Sequence, residues 1–200
     1  EIIKLSTDKV TPSRFNHERS RRVSEESIAA FGENLLKQKQ IAPAVVRPLP
    51  GGRPGEYELV CGETRWRGCK MVGMELEAVI RDLTDREVCD TMLSENLIRD
   101  NPTPVGEACI FADMLKAVNE QGELIYAGPQ ALSEATGRNP ALIEARLKLL
   151  NCPEFLLDAI EKKTIAAAAG ERIGRLHPSQ REEAAKRALH SEYGGVMTAA

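Results

Sequence analysis

At 200 residues, with 42% apolar and 28% charged side chains and a formal net charge of −3, the chain has room for one large or two small globular domains. That balance is typical of an ordinary globular protein and excludes a disordered one. No stretch approaches the run of about 18 uninterrupted apolar residues that a membrane span needs, so no membrane partner is expected and the location read from the sequence is cytoplasmic.

Only 4% of the residues are aromatic, so the cores must be built from Leu, Ile, Val, Ala and Met, a composition that leans helical. The acidic total hides a basic stretch, Arg14 to Arg22 (RFNHERSRR), and a local patch of that kind is enough to hold phosphates. Cys61, Cys69, Cys89, Cys109 and Cys152 form no C-x-x-C pair and are odd in number, which reads as reduced, cytosolic thiols. The chain starts inside an apparent strand and ends in GGVMTAA, the look of a piece of a longer protein.

In chain order, Glu1–Leu5, Ala42–Leu49, Tyr57–Gly62 and Leu76–Leu83 have the length and branched residues of buried strands, and Pro50 to Gly55 (PGGRPG) reads as a turn. Between the first two strands a helix is expected, with Ser24 as N-cap, Val23 and Ile28 as a hydrophobic staple, and Ile28, Phe31 and Leu35 on one face. Thr84-Asp85-Arg86-Glu87 is a capping box that starts a helix running to about Asp100, with Val88, Met92 and Leu93 inward. Asn101-Pro102-Thr103-Pro104 breaks that helix and restarts another, with Thr103 as cap and Pro104 at its first position. From there to His190 the pattern is helical, so the expected division is 1–100, an α+β domain, and 101–200, an all-α domain.

Tyr57 to Gly62 (YELVCG) followed by ETRWRGCKMVG places a glycine at the end of a strand where a helix begins. A helix N-terminus offers unpaired N–H groups and the positive end of a dipole, and Arg65 and Arg67 can add charge-assisted bonds to an anion. The other reading is a solvated pair of arginines with Trp66 in the core. Cys61 and Cys69 are too widely spaced, and too poor in nearby histidine, for a structural zinc site. Glu95 and Asn96 in SENLIRD are adjacent hard-oxygen donors of the kind that hold Mg²⁺ with substrate phosphates; the alternative is a solvated Glu and a capping Asn.

Gly128 to Leu150 (GPQALSEATGRNPALIEARLKLL) has the layout of a helix-turn-helix: Leu132 and Ala135 in a first helix, Gly137 in a left-handed turn, and Pro140 opening a second helix that buries Ile143, Leu147 and Leu150. Its outer face is expected to carry Arg138, Asn139, Glu144, Arg146 and Lys148, with Arg138, Asn139, Arg146 and Lys148 as candidate DNA contacts. An ordinary helical hairpin would share the pattern.

CGETRWRGCKMVGM, preceded by IAPAVVRPLPGG and YELV and followed by SENLIRDNPTPVGEA, is similar in order and spacing to ParB-type partition proteins. The likeness runs from about Ile3 to His190. It implies a ParB-like α+β nucleotide-binding domain followed by an all-α helix-turn-helix domain. It also implies that Gly62, Glu63, Thr64, Arg65, Arg67, Glu95 and Asn96 hold CTP, in preference to ATP, with Mg²⁺ on Glu95 and Asn96. The implied partners are double-stranded DNA with a palindromic site, a second copy of the chain in a clamp closed by nucleotide, and a ParA-like ATPase reached through a segment absent here. Cargo would be a plasmid, chromosome or integrative element, and the segment near residue 100 a hinge.

The chain departs from the family pattern at Thr64 (arginine), Gly68 (alanine), Ile98 (glutamine) and Ala42 (glutamine). Glu144 and Ala145 depart in the recognition helix, so a different DNA site is expected. Because Ala42 and Ile98 cannot orient a water, at most slow CTP hydrolysis is expected. The rival readings are a helix-turn-helix transcription regulator that has lost nucleotide binding, and an ATP-using enzyme of the sulfiredoxin or free-serine-kinase fold.

Overall fold

A computed structural model describes residues 1–16, 25–99 and 102–190. The expected Ser24 cap, the Val23 staple partner, most of the basic stretch after Asn16, the side chain of Ile98 and the hinge at residues 100–101 lie outside them. Two compact units divide the chain, Glu1–Glu95 and Asn96–Ala200. The division falls inside one continuous helix, a few residues before the boundary expected from sequence.

The first unit is a five-stranded mixed sheet with helices. Its strands are β1 (Ile2–Leu5), β2 (Val10–Pro12), β3 (Ala44–Pro48), β4 (Tyr57–Cys61) and β5 (Leu76–Ile80), and its helices α1 (Glu25–Gln38), α2 (Glu63–Val72) and α3 (Asp85–Arg99). The sheet order is β1-β5-β3-β4-β2: β1 runs antiparallel to β5, β5 parallel to β3, β3 antiparallel to β4 and β4 parallel to β2. Val10, Leu35, Ala44, Val46, Leu59, Cys69, Leu76 and Ala78 form its core, with Phe31 and Trp66 packed against it. Helices α1 and α2 approach through facing glycines. A β-carbon on Gly68 would sit 3.0 Å from Phe31 and 3.7 Å from the Gly32 backbone, so the alanine usual in the resembling family would crowd this contact.

Two features escaped the sequence reading. Strand β2 is three residues long and ends in proline, a length and composition that periodicity does not register. The second is a buried ionic cluster. Register places Arg47 directly opposite Glu58, and both are 4% exposed. Arg47 donates from Nε to Glu58 Oε2 at 2.6 Å, from Nη1 to the Leu83 carbonyl at 2.9 Å and from Nη2 to Asp85 Oδ1 at 2.7 Å. Glu58 also accepts from the Ser13 hydroxyl at 2.6 Å, and Arg14 reaches Asp85 Oδ2 at 2.6 Å. Its partners hold the Arg47 guanidinium above its ordinary pKa even though burial alone would lower it.

Thr84 and Glu87 exchange the capping-box bonds at the start of α3: the Thr84 amide donates to Glu87 Oε2 at 2.8 Å, and the Glu87 amide to Thr84 Oγ1 at 3.3 Å. Val88, Met92 and Leu93 are buried as expected. Burial, with Asp85 and Asp90 nearby, pushes the Cys89 thiol up to about 12, and burial also raises Cys69 and Cys152. The thiolate is the reactive form, so at pH 8 iodoacetamide should modify the half-buried Cys61 and Cys109 in the native protein well before Cys89. Mass mapping of the alkylated chain checks the order; early labelling of Cys89 would contradict its burial.

The second unit holds α4 (Pro104–Met114), α5 (Pro129–Thr136), α6 (Pro140–Leu149), α7 (Glu154–Glu161), α8 (Ala167–Ile173) and α9 (Pro178–His190). Thr103 caps α4 through the Gly106 amide at 3.1 Å, with Pro104 at the first helical position. The loop before α5 carries an isolated antiparallel bridge, Val118 to Leu124, organised by the Asn119 side chain, which accepts from the Gln121 and Glu123 amides. Its core is Val105, Ala108, Leu149, Cys152, Leu156, Ala159, Ile160, Ile165, Ile173 and Ala185.

The expected buried face of α6 needs correction. Ile143 and Leu149 are fully buried, whereas Leu147 is half-buried and Leu150 is 37% exposed. Ala145 and Leu149, one turn apart, are the buried pair of this face, and Leu149 lies against Gly170 of α8, a neighbour that the pattern of α6 alone does not reveal.

Candidate functional site

Strand β4 ends at Cys61, and Gly62 turns the chain into α2 with φ at +99°, a left-handed conformation that glycine adopts without strain. A β-carbon there would also lie 3.1 Å from the Arg65 guanidinium and 3.2 Å from the Ala44 side chain. Gly62 gives α2 no side-chain cap. The first-turn amides of α2 and the folded-back Arg65 therefore meet over the same glycine, an arrangement whose partial and full charges favour an anion.

The two arginines of this box have different surroundings. Arg67 is paired with Glu25 at 2.5 Å and lies 3.9 Å from Glu63, one turn before it. Glu63 in turn accepts from the Asn16 side chain. Among the described residues no ion pair engages Arg65. Thr64 is half-buried in the first turn of α2. Trp66 is structural: its Nε1 donates to the Thr7 carbonyl at 3.0 Å and its ring packs on the core, with Lys70 over one face at 5.2 Å.

Beside Arg65 opens a cavity of about 360 Å³ lined by the apolar Phe31, Leu35, Ile41 and Ala42, the polar Asn34, Gln38 and Gln40, and the cationic Lys39. That volume falls within the range of about 300–1,000 Å³ of small-molecule sites. The loop between α1 and β3 forms much of the wall. Gln40 fixes it by donating to the Ala42 and Glu77 carbonyls, at 2.9 and 2.5 Å, and accepting from the Glu77 amide at 3.0 Å. Gln40 is thus occupied by backbone, and Gln38, the last residue of α1, lines the cavity without such a role among the described residues.

Glu95 and Asn96 lie in the last turns of α3, Glu95 half-buried and Asn96 6% exposed. They offer oxygen atoms suited to a hard cation, and consecutive helix residues project about 100° apart, so they present those oxygens in different directions.

In the second unit α5 and α6 are joined through Gly137, at φ +68°, whose amide closes the helix on the Ser133 carbonyl. Asn139 caps α6 by accepting from the Ala141 amide at 2.8 Å. Its Oδ1 is therefore used within the helix, and the residue itself is exposed. Lys148 is exposed. Arg146, expected on the outer face, is only 18% exposed: its Nε donates to Glu107 Oε2 at 2.8 Å and its Nη1 pairs with Glu171. A partner distant in sequence, invisible to helical periodicity, turned it inward. Arg138 keeps 42% of its side chain exposed and touches Glu107 Oε1 at 3.2 Å.

The Asn139 geometry separates two roles. Asn139→Asp keeps an oxygen cap and removes the amide donor, whereas Asn139→Ala removes both. Thermal unfolding should show the Ala variant destabilised by about 1 kcal/mol and the Asp variant nearly unchanged. Equal losses in both would show that the cap bond does not hold α6.

Residues 1–97 match the model of the ParB N-terminal domain. A nucleoid occlusion protein of Oceanobacillus iheyensis is 32% identical over 83% of this chain and 54% of its own length. The chromosome-partitioning protein Spo0J of Thermus thermophilus is 33% identical over 80% of this chain and 56% of its own. The chain spans about half the length of these curated relatives. Among solved structures, a C-terminally truncated chromosome-partitioning protein ParB from Caulobacter crescentus, complexed to the centromeric parS site, superposes with a TM-score of 0.59 at 19% identity, covering 96% of both chains. A pNOB8-like ParB N-domain gives 0.57 at 17% identity, covering 96% of this chain and 94% of its own. At such identities the likeness is one of fold.

Proposed function

The chain belongs to the ParB family of partition proteins, and on that premise we propose that it is a nucleotide-dependent DNA-binding protein of segregation or nucleoid occlusion, with CTP as the nucleotide. The observation that carries the reading is the meeting of the uncapped α2 N-terminus, Gly62 and Arg65 beside a cavity of nucleoside size. Phosphates suit the amides and the guanidinium, and the base suits the Phe31, Leu35 and Ile41 wall. Thr64 adds a hydroxyl, Glu63 orders Asn16 and Arg67 around the box, and Glu95 and Asn96 are the proposed oxygen ligands of Mg²⁺.

DNA contact is assigned to α5 and α6 as a helix-turn-helix, with Arg138, Asn139 and Lys148 at the surface and Arg146 supporting them from within. A palindromic duplex, a second copy of the chain forming a clamp and a ParA-like ATPase are the proposed partners. No described helix is long and apolar enough to cross a membrane, and the proposed site of action is the nucleoid or a plasmid in the cytoplasm. Calorimetric titration with CTP, ATP, GTP and UTP, with and without Mg²⁺, tests the nucleotide. Selective, Mg²⁺-strengthened binding of CTP supports the proposal. Absence of binding by all four favours a regulator that uses only its helix pair.

Hydrolysis should be slow, well below the roughly 1–100 s⁻¹ of kinases. The side chain of Ala42 offers no polar group to the cavity, and Gln40 is spent on the Ala42 and Glu77 backbone. Phosphate release is measured with each triphosphate, with and without selected DNA; brisk turnover that is lost in Gln38→Ala would show that Gln38 supplies the water-orienting amide.

A further inference from the structure

We propose that Glu107 is a positioning residue for DNA binding: a buried carboxylate of α4 that holds Arg138 by one guanidinium nitrogen and leaves the rest of an exposed side chain to meet a phosphate. The inference rests on the reading of α5 and α6 as a DNA-binding pair. Glu107 divides its two oxygens between two arginines. Oε2 takes Arg146 Nε at 2.8 Å, and Oε1 takes Arg138 Nη2 at 3.2 Å. The side chain of Glu107 is 9% exposed, that of Arg146 18% and that of Arg138 42%. Arg146 has a second carboxylate, Glu171, and belongs to the interior.

Arg138 sits where its chemistry is useful. It directly precedes Asn139, the cap of α6, and helix N-termini are where amides, dipole and side chains converge on phosphate. Its amide donates to Thr136 Oγ1 at 3.2 Å, so the backbone is fixed as well as the side chain. A guanidinium carries five N–H donors in a planar fork. Its Nη2 is in ion-pair contact with Glu107, which tethers that end of the fork, and with 42% of the side chain exposed the guanidinium remains accessible to an oxygen from outside. Ordering a long side chain on binding costs affinity, and a residue already ordered avoids that cost.

The sign of the effect tests the idea. Glu107→Gln removes a negative charge near the proposed DNA surface, and by simple electrostatics it should tighten binding. If Glu107 positions Arg138, the same change weakens it. Duplexes selected from a random pool by the wild-type chain, and a random-sequence duplex, are titrated at one salt concentration with wild type, Glu107→Gln, Arg138→Ala, the double variant and Glu171→Gln. The expected result is a loss of about 3- to 10-fold for Glu107→Gln, the range for releasing one rotamer-rich side chain. In the Arg138→Ala background Glu107→Gln should have no further effect, and Glu171→Gln should bind as wild type does while melting earlier. Tighter binding by Glu107→Gln, or a loss that persists without Arg138, overturns the proposal and leaves the DNA reading intact. A folded wild-type chain that retains no duplex overturns both.

Discussion

Arg65→Ala should lower triphosphate affinity by roughly 10- to 150-fold while the protein stays folded, since hydrogen bonds to charged groups contribute about 1.5–3 kcal/mol each. Arg65 makes no ion pair among the described residues, and its guanidinium lies over Gly62 while the residue lines the cavity. Its removal strips a cation from the site and leaves the core untouched. Arg67→Ala is the informative comparison. Glu25 and Glu63 already offset its charge, so its loss should cost only a few-fold. Calorimetry of the two variants beside wild type decides the matter, with circular dichroism to show that each is folded. Equal losses would place both arginines on the ligand; unchanged affinity in Arg65→Ala would remove the anion site from the start of α2.

Arg47→Met should destabilise the first unit by about 3–5 kcal/mol, the range for breaking a buried ion pair by removing one partner. The methionine fits the space of the stem, but Glu58 and Asp85 lose the cation that compensates them, and the Leu83 carbonyl loses its donor. Trp66, the single tryptophan of the chain, lies in this unit and reports its unfolding in urea separately from the helical unit. Adding Glu58→Gln to Arg47→Met should restore part of the loss, because the orphaned charge is gone while an acceptor for the Ser13 hydroxyl remains. A single variant within about 1 kcal/mol of wild type would show that water reaches the cluster and screens it.

Much of this was legible because the signals were local. Thr84 with Glu87, Thr103 with Pro104, and Gly137 with Asn139 are start and stop marks written within a few residues of the groups they satisfy. Gly62 and Arg65 belong to the same class, since a strand, a glycine and a helix follow one another without a gap.

What was missed involved partners far along the chain. Arg47 reads as an ordinary strand residue until register sets Glu58 opposite it. Arg146 falls on an outward position of the helical wheel, yet Glu107 and Glu171 bind it from α4 and α8. The unequal surroundings of Arg65 and Arg67 depend on Glu25, a residue of α1. Side-chain charge in a sequence is easy to count, but whether it is already neutralised is a property of the tertiary fold.

The pairing of β1 with β5 places Ile2 beside Val79 and Leu5 beside Leu76. Synthesis delivers the first strand long before its neighbour exists. Until Ile80 has cleared the ribosome, β1 has no ladder to join, and its Ile3 and Leu5 side chains lack the surface that half-buries them in the finished unit. Contacts between the ends of a long segment carry a loop-closure cost that local helical contacts avoid. Strand β1 therefore takes its place in the sheet only after β5 has been made, whereas β2 can join β4 earlier.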